Sequence, residues 1–178
     1  MNHKNIVWFD METTGLNPKR DEILQVAIVL TDDNLNEIDY NEWTIHHDGL
    51  PVMEKVVFEM HYESELFDEV KRSTNSLEEV ERDLCETILG IEGDRILAGN
   101  SIHFDRGFIK KYMPQFDKLL HYRMLDVSAI KIFGQLNGLN APFKKNNPAH
   151  TALADTRSSI EQYKELVQLF LPPKGAVK

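Results

Sequence analysis

The segment VWFDMETTGLNP, Val7 to Pro18, places two carboxylates directly after a run of bulky apolar residues. The segment from Ile6 to Asp10 predicts a strand that leads into the core. An unpaired carboxylate at such a place carries a large desolvation penalty or gives up its charge. Asp10 and Glu12 therefore need a cation beside them, or a turn that faces water.

The length and composition of the chain bound its class. Its 178 residues predict a single domain over residues 1–172, followed by a frayed tail at residues 173–178. The one cysteine excludes an internal disulfide, and the first residues lack the apolar segment of a signal peptide. Because no apolar run approaches the length of a bilayer span, we expect a cytoplasmic protein that does not enter a membrane.

The charge of the chain limits its nucleic-acid partners. A formal net charge of −9 argues against tight, sequence-independent binding of long nucleic acid, which depends on many Lys and Arg contacts to phosphate. A short nucleic-acid substrate stays compatible with this charge, because a metal-filled carboxylate site and a few basic residues are enough to hold it.

The order of the predicted elements indicates the fold class. Three strands come first, at residues 6–10, 22–32 and 37–47, with the turn DDNLN before the third, and this succession of strands predicts an antiparallel meander. Helices follow at residues 76–91, 104–113, 125–136 and 151–170, with a short buried strand at residues 95–102. Ser76 and Glu79 form a capping box at the first of these helices. This order predicts a mixed sheet covered by helices.

Five residues at the edges of apolar elements form a candidate metal-dependent site. Asp10 and Glu12 are two residues apart, a spacing that puts both side chains on one face of an extended segment. Far downstream, GNSIHFDRGF contains Asp105, and HTALAD contains His150 and Asp155. Mg²⁺ and Mn²⁺ prefer carboxylate oxygens, pairs of such ions cleave phosphodiesters, and histidine accepts protons near neutral pH. Each motif alone is also typical of solvated turns, so the prediction depends on the whole set.

The same motifs resemble a known enzyme family. FDMETTGL, GNSIHFDRGF and HTALAD resemble the histidine-bearing (DEDDh) branch of the DEDD exonuclease superfamily. HYRMLDVSAIK, KYMP and NPKRDEILQVAIVLTDDNLN narrow the resemblance to the oligoribonucleases, over Ile6 to Phe170. The resemblance implies an α/β fold with a ribonuclease-H-like mixed five-stranded sheet flanked by helices. It also implies 3′-to-5′ degradation of very short RNA, especially 5′-phosphorylated dinucleotides, to 5′-mononucleotides.

The resemblance assigns a role to each member of the candidate site. Asp10, Glu12 and Asp155 would hold two divalent ions, Mg²⁺ or Mn²⁺. Asp105 would support the second ion, directly or through water. His150 would be the general base.

The resemblance also implies a cap that selects short substrates. Ser101, Arg123 and Ser128 would bind a terminal 5′-phosphate, since hydroxyls and the planar donor fork of Arg suit that group. Tyr122 would reach this cap from the second subunit of a homodimer. The ordinary alternatives are a helix-starting role for Ser128 and a surface position for Arg123.

The resemblance implies substrate contacts at two further positions, and the chain departs from the family at a third. Leu16 resembles the apolar wedge of the family between two bases, and His61 matches a histidine near the substrate. Val56 departs from the family, which often has a base-stacking tryptophan there. Since valine cannot stack, either Phe58 takes over that role or base binding is weaker.

Two alternative functions remain open from the sequence. The first is a DEDDh exonuclease that acts on longer RNA or DNA ends, which the acidic balance and the cap residues disfavour. The second is a catalytically silent module that binds a dinucleotide, which the complete set of five catalytic positions disfavours.

Overall fold

The structure of the protein is a computed structural model that describes residues 5–49, 51–63, 65–138 and 151–170. His150 and the tail predicted at residues 173–178 lie outside these ranges. The single-domain assignment to residues 1–172 therefore stays a prediction.

The described residues form a five-stranded sheet. Its strands are β1 Asn5–Thr13, β2 Ile23–Asp32, β3 Glu37–Thr44, β4 Ile96–Gly99 and β5 Met124–Asp126, in the order β3-β2-β1-β4-β5. The first three strands form the predicted antiparallel meander, whereas β4 pairs with β1 and β5 with β4 in parallel. The prediction of a mixed five-stranded sheet is confirmed.

The helices are α1 Lys55–Glu63, α2 Leu66–Arg72, α3 Leu77–Leu89, α4 His103–Tyr112, α5 Pro114–Leu119, α6 Val127–Leu136 and α7 Ala152–Phe170. Four of them, α3, α4, α6 and α7, match the predicted helices, and Ser76 forms the predicted capping box with Glu79. The sequence prediction missed α1, α2 and α5. The last two are only seven and six residues long, too short for a helical period to stand out.

Several predicted boundaries were wrong, and the strand predicted at residues 95–102 spans only Ile96–Gly99. β1 continues past Asp10 because its pairing with β2 extends to Thr13. The third strand ends at Thr44 rather than at residue 47. The helix predicted to start at residue 125 starts at Val127, because Asp126 closes β5 and its side chain accepts a hydrogen bond from Ala129 N as the N-cap of α6.

The central strand β1 is buried on both faces, and its alternation decides which side chains meet which helices. Val7 and Phe9 belong to a core cluster that also contains residues of α3 and α4. Trp8 belongs to a second cluster with Val127 of α6 and Ile160 of α7. Because side chains alternate along a strand, Asp10 and Glu12 share the Trp8 face, towards α7.

No helix among the described residues combines the length and the apolar character that a bilayer crossing requires.

Candidate active site

Three carboxylates converge where β1 ends and α7 begins. Asp10, Glu12 and Asp155 each offer an oxygen, and these oxygens lie within 4.8 Å of one another. Glu12 is 8% exposed, and the other two are half-buried. Like charges at this spacing repel unless a cation or a proton lies between them. Since hard divalent cations bind carboxylate oxygens, the cluster can hold such an ion.

Side chains of the sheet fix the start of α7, and so they fix Asp155. The Gln25 side chain accepts a hydrogen bond from Ala152 N at 3.0 Å, and the Glu42 carboxylate accepts one from Leu153 N at 2.8 Å. These are orphan amides of the first helical turn, which need acceptors outside the helix. Gln25 of β2 also pairs with Glu12 of β1. Through Gln25, α7 with Asp155 is therefore held against β1, which carries Asp10 and Glu12.

Asp105 lies beside this cluster without being one of the three converging carboxylates. It is 4% exposed, in the first turn of α4, and its carboxylate accepts a hydrogen bond from the backbone N–H of Met11. Burial raises the pKa of Asp105 to about 7, and the nearby charge of Asp126 adds to the rise. The geometry ties Asp105 to the strand segment between Asp10 and Glu12.

His61 lies behind Glu12. The ring is fully buried, Nε2 donates a hydrogen bond to the Thr13 carbonyl at 2.9 Å, and Nδ1 lies 3.7 Å from Glu12 Oε2. The packing of α1 against the end of β1 thus brings a histidine to a candidate metal ligand. Its role near the substrate stays a prediction.

Leu16 is presented to solvent by a braced turn. Its side chain is 77% exposed, so it is not a core residue. The Asp21 carboxylate accepts a hydrogen bond from Asn17 N at 2.7 Å, and a Cβ at Gly15 would lie only 2.5 Å from that carboxylate. Glycine is needed at this close approach, and the turn holds Leu16 in the open.

The structure brings together two of the three predicted cap residues. Ser101 Oγ donates to Ser128 Oγ at 3.2 Å, and Ser101 N donates to Asp126 Oδ1 at 3.1 Å. Arg123 precedes β5, at the opposite end of that strand from Asp126. There its guanidinium lies 5.1 Å from the ring centroid of Tyr122, which is exposed.

One cavity of about 320 Å³ is lined by two of the carboxylates and by one predicted cap residue, Ser128. Its lining residues are Asp10, Asn100, Ser128, Lys131, Asp155, Ser158, Ser159 and Gln162. The sequence prediction missed Asn100, Lys131 and Gln162 as members of this site. Helical spacing was the available signal, since Lys131 lies three residues after Ser128 and Gln162 lies seven after Asp155.

Comparison with known proteins identifies the enzyme class of the chain. Residues 7–163 match the RNase_T family, which is described as Exonuclease. The fold agrees with solved exonucleases: an exonuclease I from Methylocaldum szegediense superposes with a TM-score of 0.74 at 21% identity, over 95% of this chain and 41% of that chain. An exonuclease I of E. coli, solved in complex with a dT13 oligonucleotide, has a TM-score of 0.71 over 93% of this chain and 41% of its own. The chain spans about two fifths of these exonuclease I chains.

Curated relatives narrow the class. The chain is 40% identical to an oligoribonuclease of Rhodococcus jostii, over 96% of this chain and 90% of the relative. It is 39% identical to a probable oligoribonuclease of Dictyostelium discoideum (90% and 87% covered) and 37% identical to an oligoribonuclease of Neisseria meningitidis (94% and 92% covered). The chain therefore belongs to the oligoribonucleases of the DEDD exonuclease superfamily, and it is a 3′-to-5′ exoribonuclease. The family and the acidic cluster together indicate a divalent-metal-dependent enzyme.

Proposed function

We propose that the protein degrades very short RNA from the 3′ end, with 5′-phosphorylated dinucleotides as preferred substrates and 5′-mononucleotides as products. The observation that carries the proposal is the cavity that Asp10, Asp155 and Ser128 line together. A substrate that is held at both ends of so short a path has few nucleotides.

Asp10, Glu12 and Asp155 are the residues that hold the metal ions, two Mg²⁺ or Mn²⁺, and Asp105 supports the second ion. Their support is the convergence of the three carboxylates within 4.8 Å. When bound, such ions activate a water and stabilise the leaving oxygen of a phosphodiester. His150, which immediately precedes Thr151 and α7, accepts the proton of the attacking water as general base.

The cap binds the 5′-phosphate at the other end of the cavity. Ser101 and Ser128 offer adjacent hydroxyls, and Arg123 adds a charged donor fork. Asp126 holds Ser101 beside the start of α6, which carries Ser128, because one carboxylate oxygen accepts from both Ser101 N and Ala129 N. If these groups close that end of the cavity, they favour a terminal phosphate over a continuing chain.

Base contacts come from the turn of β1 and from α1. Leu16 is exposed and braced, as a wedge between two bases requires. Val56 is 68% exposed and offers no ring, while Phe58 packs against Phe67 and Tyr62 with ring centroids 5.1 and 5.8 Å away. Since Phe58 already contacts two rings, we favour weaker base binding over the alternative that Phe58 takes over the stacking role of the missing tryptophan.

A homodimer completes the proposed site. Exposed apolar side chains follow the edge strand β5 along α6, namely Ile132, Phe133 and Leu136. Tyr122, 74% exposed, lies just before that strand, from where it reaches the cap of the second subunit. An apolar surface beside an edge strand is a typical interface between copies of a chain.

The test is turnover by the purified protein, with Mg²⁺ or Mn²⁺, on 5′-phosphorylated RNAs of two to about ten nucleotides. We expect the dinucleotide to be cleaved fastest. An Asp155→Ala variant prepared in the same way controls for contaminating nucleases. Equal rates at all lengths indicate an exonuclease for longer ends. Binding without turnover at any length indicates the silent module.

A further inference from the structure

The cavity has a charged far end that the carboxylates do not occupy. It runs along α7 from Asp155 to Gln162, a separation of seven residues or about 10 Å along the helix axis. At the Gln162 end, the ammonium of Lys131 donates a hydrogen bond to Gln162 Oε1 at 3.0 Å. Among the described residues that line this cavity, Lys131 is the only cation.

A hydrogen-bond network connects Lys131 to the serines of the cap. Asn100 Nδ2 donates to the same Gln162 oxygen at 3.2 Å and to Ser159 Oγ at 2.8 Å. Ser128 Oγ in turn donates to Asn100 Oδ1 at 3.2 Å. Because Gln162 is buried, the network fixes where the half-buried Lys131 holds its charge.

The position of Lys131 matches the position of the cap. Lys131 follows Ser128 by three residues on α6, so both side chains lie on one face of that helix. An ammonium carries three donors, so a hydrogen bond to Gln162 is compatible with a phosphate contact. The cavity therefore has carboxylates that can hold a metal ion near Asp155 and a cation near Gln162, two positions about 10 Å apart along α7.

We propose that Lys131 is a further substrate-binding residue, which contacts the 5′-terminal phosphate of the dinucleotide and thereby helps to select for length. Ser128 and Asn100 lie beside it, and Gln162 positions its ammonium. The inference deepens the proposed function and rests on it.

The test compares Lys131→Gln, Lys131→Arg and the unaltered enzyme on one dinucleotide with and without its 5′-phosphate. Hydrogen bonds between charged groups support a tenfold to hundredfold effect. We expect Lys131→Gln to raise KM by about that factor for the phosphorylated dinucleotide, with kcat nearly unchanged and little effect on the unphosphorylated one. Lys131→Arg should restore most of the loss.

The matched control is Lys164→Gln, which removes the same charge from a lysine of α7 that pairs with Glu161. It should leave KM for both substrates unchanged. Circular dichroism and thermal unfolding check that each variant is folded.

The outcomes separate the two proposals. If the unaltered enzyme is indifferent to the 5′-phosphate, the proposed function fails and the inference fails with it. If the enzyme prefers the phosphate and Lys131→Gln keeps that preference, only the inference is overturned. Equal loss on both substrates, or no rescue by Lys131→Arg, also overturns it, because Lys131 then acts at the scissile end or only on the structure.

Discussion

The two ends of the cavity are built in different ways. At the carboxylate end, Asp10 and Glu12 extend from the central strand β1, which is covered on both faces, and sheet side chains cap the helix that carries Asp155. At the cap end, Ser101 follows the four-residue strand β4, and Ser128 follows the three-residue edge strand β5. The chemistry is therefore anchored in the core, whereas the proposed length selection depends on short peripheral elements held by Asp126.

The largest expected effect is at the carboxylate end. Replacing Asp10, Glu12 or Asp155 with Ala should reduce turnover to near background, because each change removes a metal ligand. Each variant should still fold. Without metal it should be more stable than the unaltered protein, since one of three mutually repelling charges is gone. Turnover with excess Mg²⁺ or Mn²⁺ and thermal unfolding are the measurements, with exposed Glu78→Ala of α3 as the control. Near-normal rates in any one variant would remove that residue from the site.

The next effect concerns the proposed base. His150→Ala should lower kcat by about 10²–10⁴-fold, the usual contribution of a general base, with little change in substrate affinity. Single-turnover rates and equilibrium binding separate the two quantities, and His46→Ala, in an exposed loop, is the control. A collapse of binding with intact chemistry would make His150 a positioning residue.

A smaller effect is expected at the cap, and it should have the opposite kinetic signature. Arg123→Ala should weaken the affinity for a 5′-phosphorylated dinucleotide by about tenfold to a hundredfold, because a charge-assisted contact is lost. Longer RNAs and unphosphorylated dinucleotides should be affected less, so the length preference flattens. Arg82→Ala on α3 serves as the matched control. An equal loss of affinity at every RNA length would show that Arg123 does not select for length, and that the two ends of the cavity do not have separate roles.

The smallest effect is on stability, and it depends on pH. In the metal-free protein, burial raises the pKa of Asp105 from an ordinary 3.8 to about 7. Between these values the folded state binds the proton that the unfolded state releases, so the stability from this group falls as pH rises towards 7. Asp105→Asn should therefore stabilise the metal-free protein more at pH 8 than at pH 5, in urea unfolding. Exposed Asp33→Asn should show no such difference, and a pH-independent gain would contradict the buried-carboxyl account.

The sequence predicts the carboxylate end better than the cap end. The two-residue spacing of Asp10 and Glu12 predicts that both side chains share one face of a strand. Asp155 lies in the first turn of a long predicted helix. Both features can therefore be recognised from the local sequence. The support from Gln25 and Glu42 is not visible, because it joins residues more than a hundred positions from the helix start. β5 was missed because three residues show no period. The exposure of Leu16 could not be predicted either, since only the folded turn distinguishes an exposed leucine from a core leucine.

The two-residue period of β1 also restricts how this chain can vary in length. Inserting or deleting one residue between Trp8 and Asp10 would turn both Asp10 and Glu12 to the opposite face of the sheet, towards the cluster that contains Phe108. The carboxylates would then be buried away from α7, and apolar side chains would take their place beside Asp155. Related sequences should therefore vary the identity of residues in this strand while keeping its length fixed, and tolerate insertions only beyond the Leu16 turn.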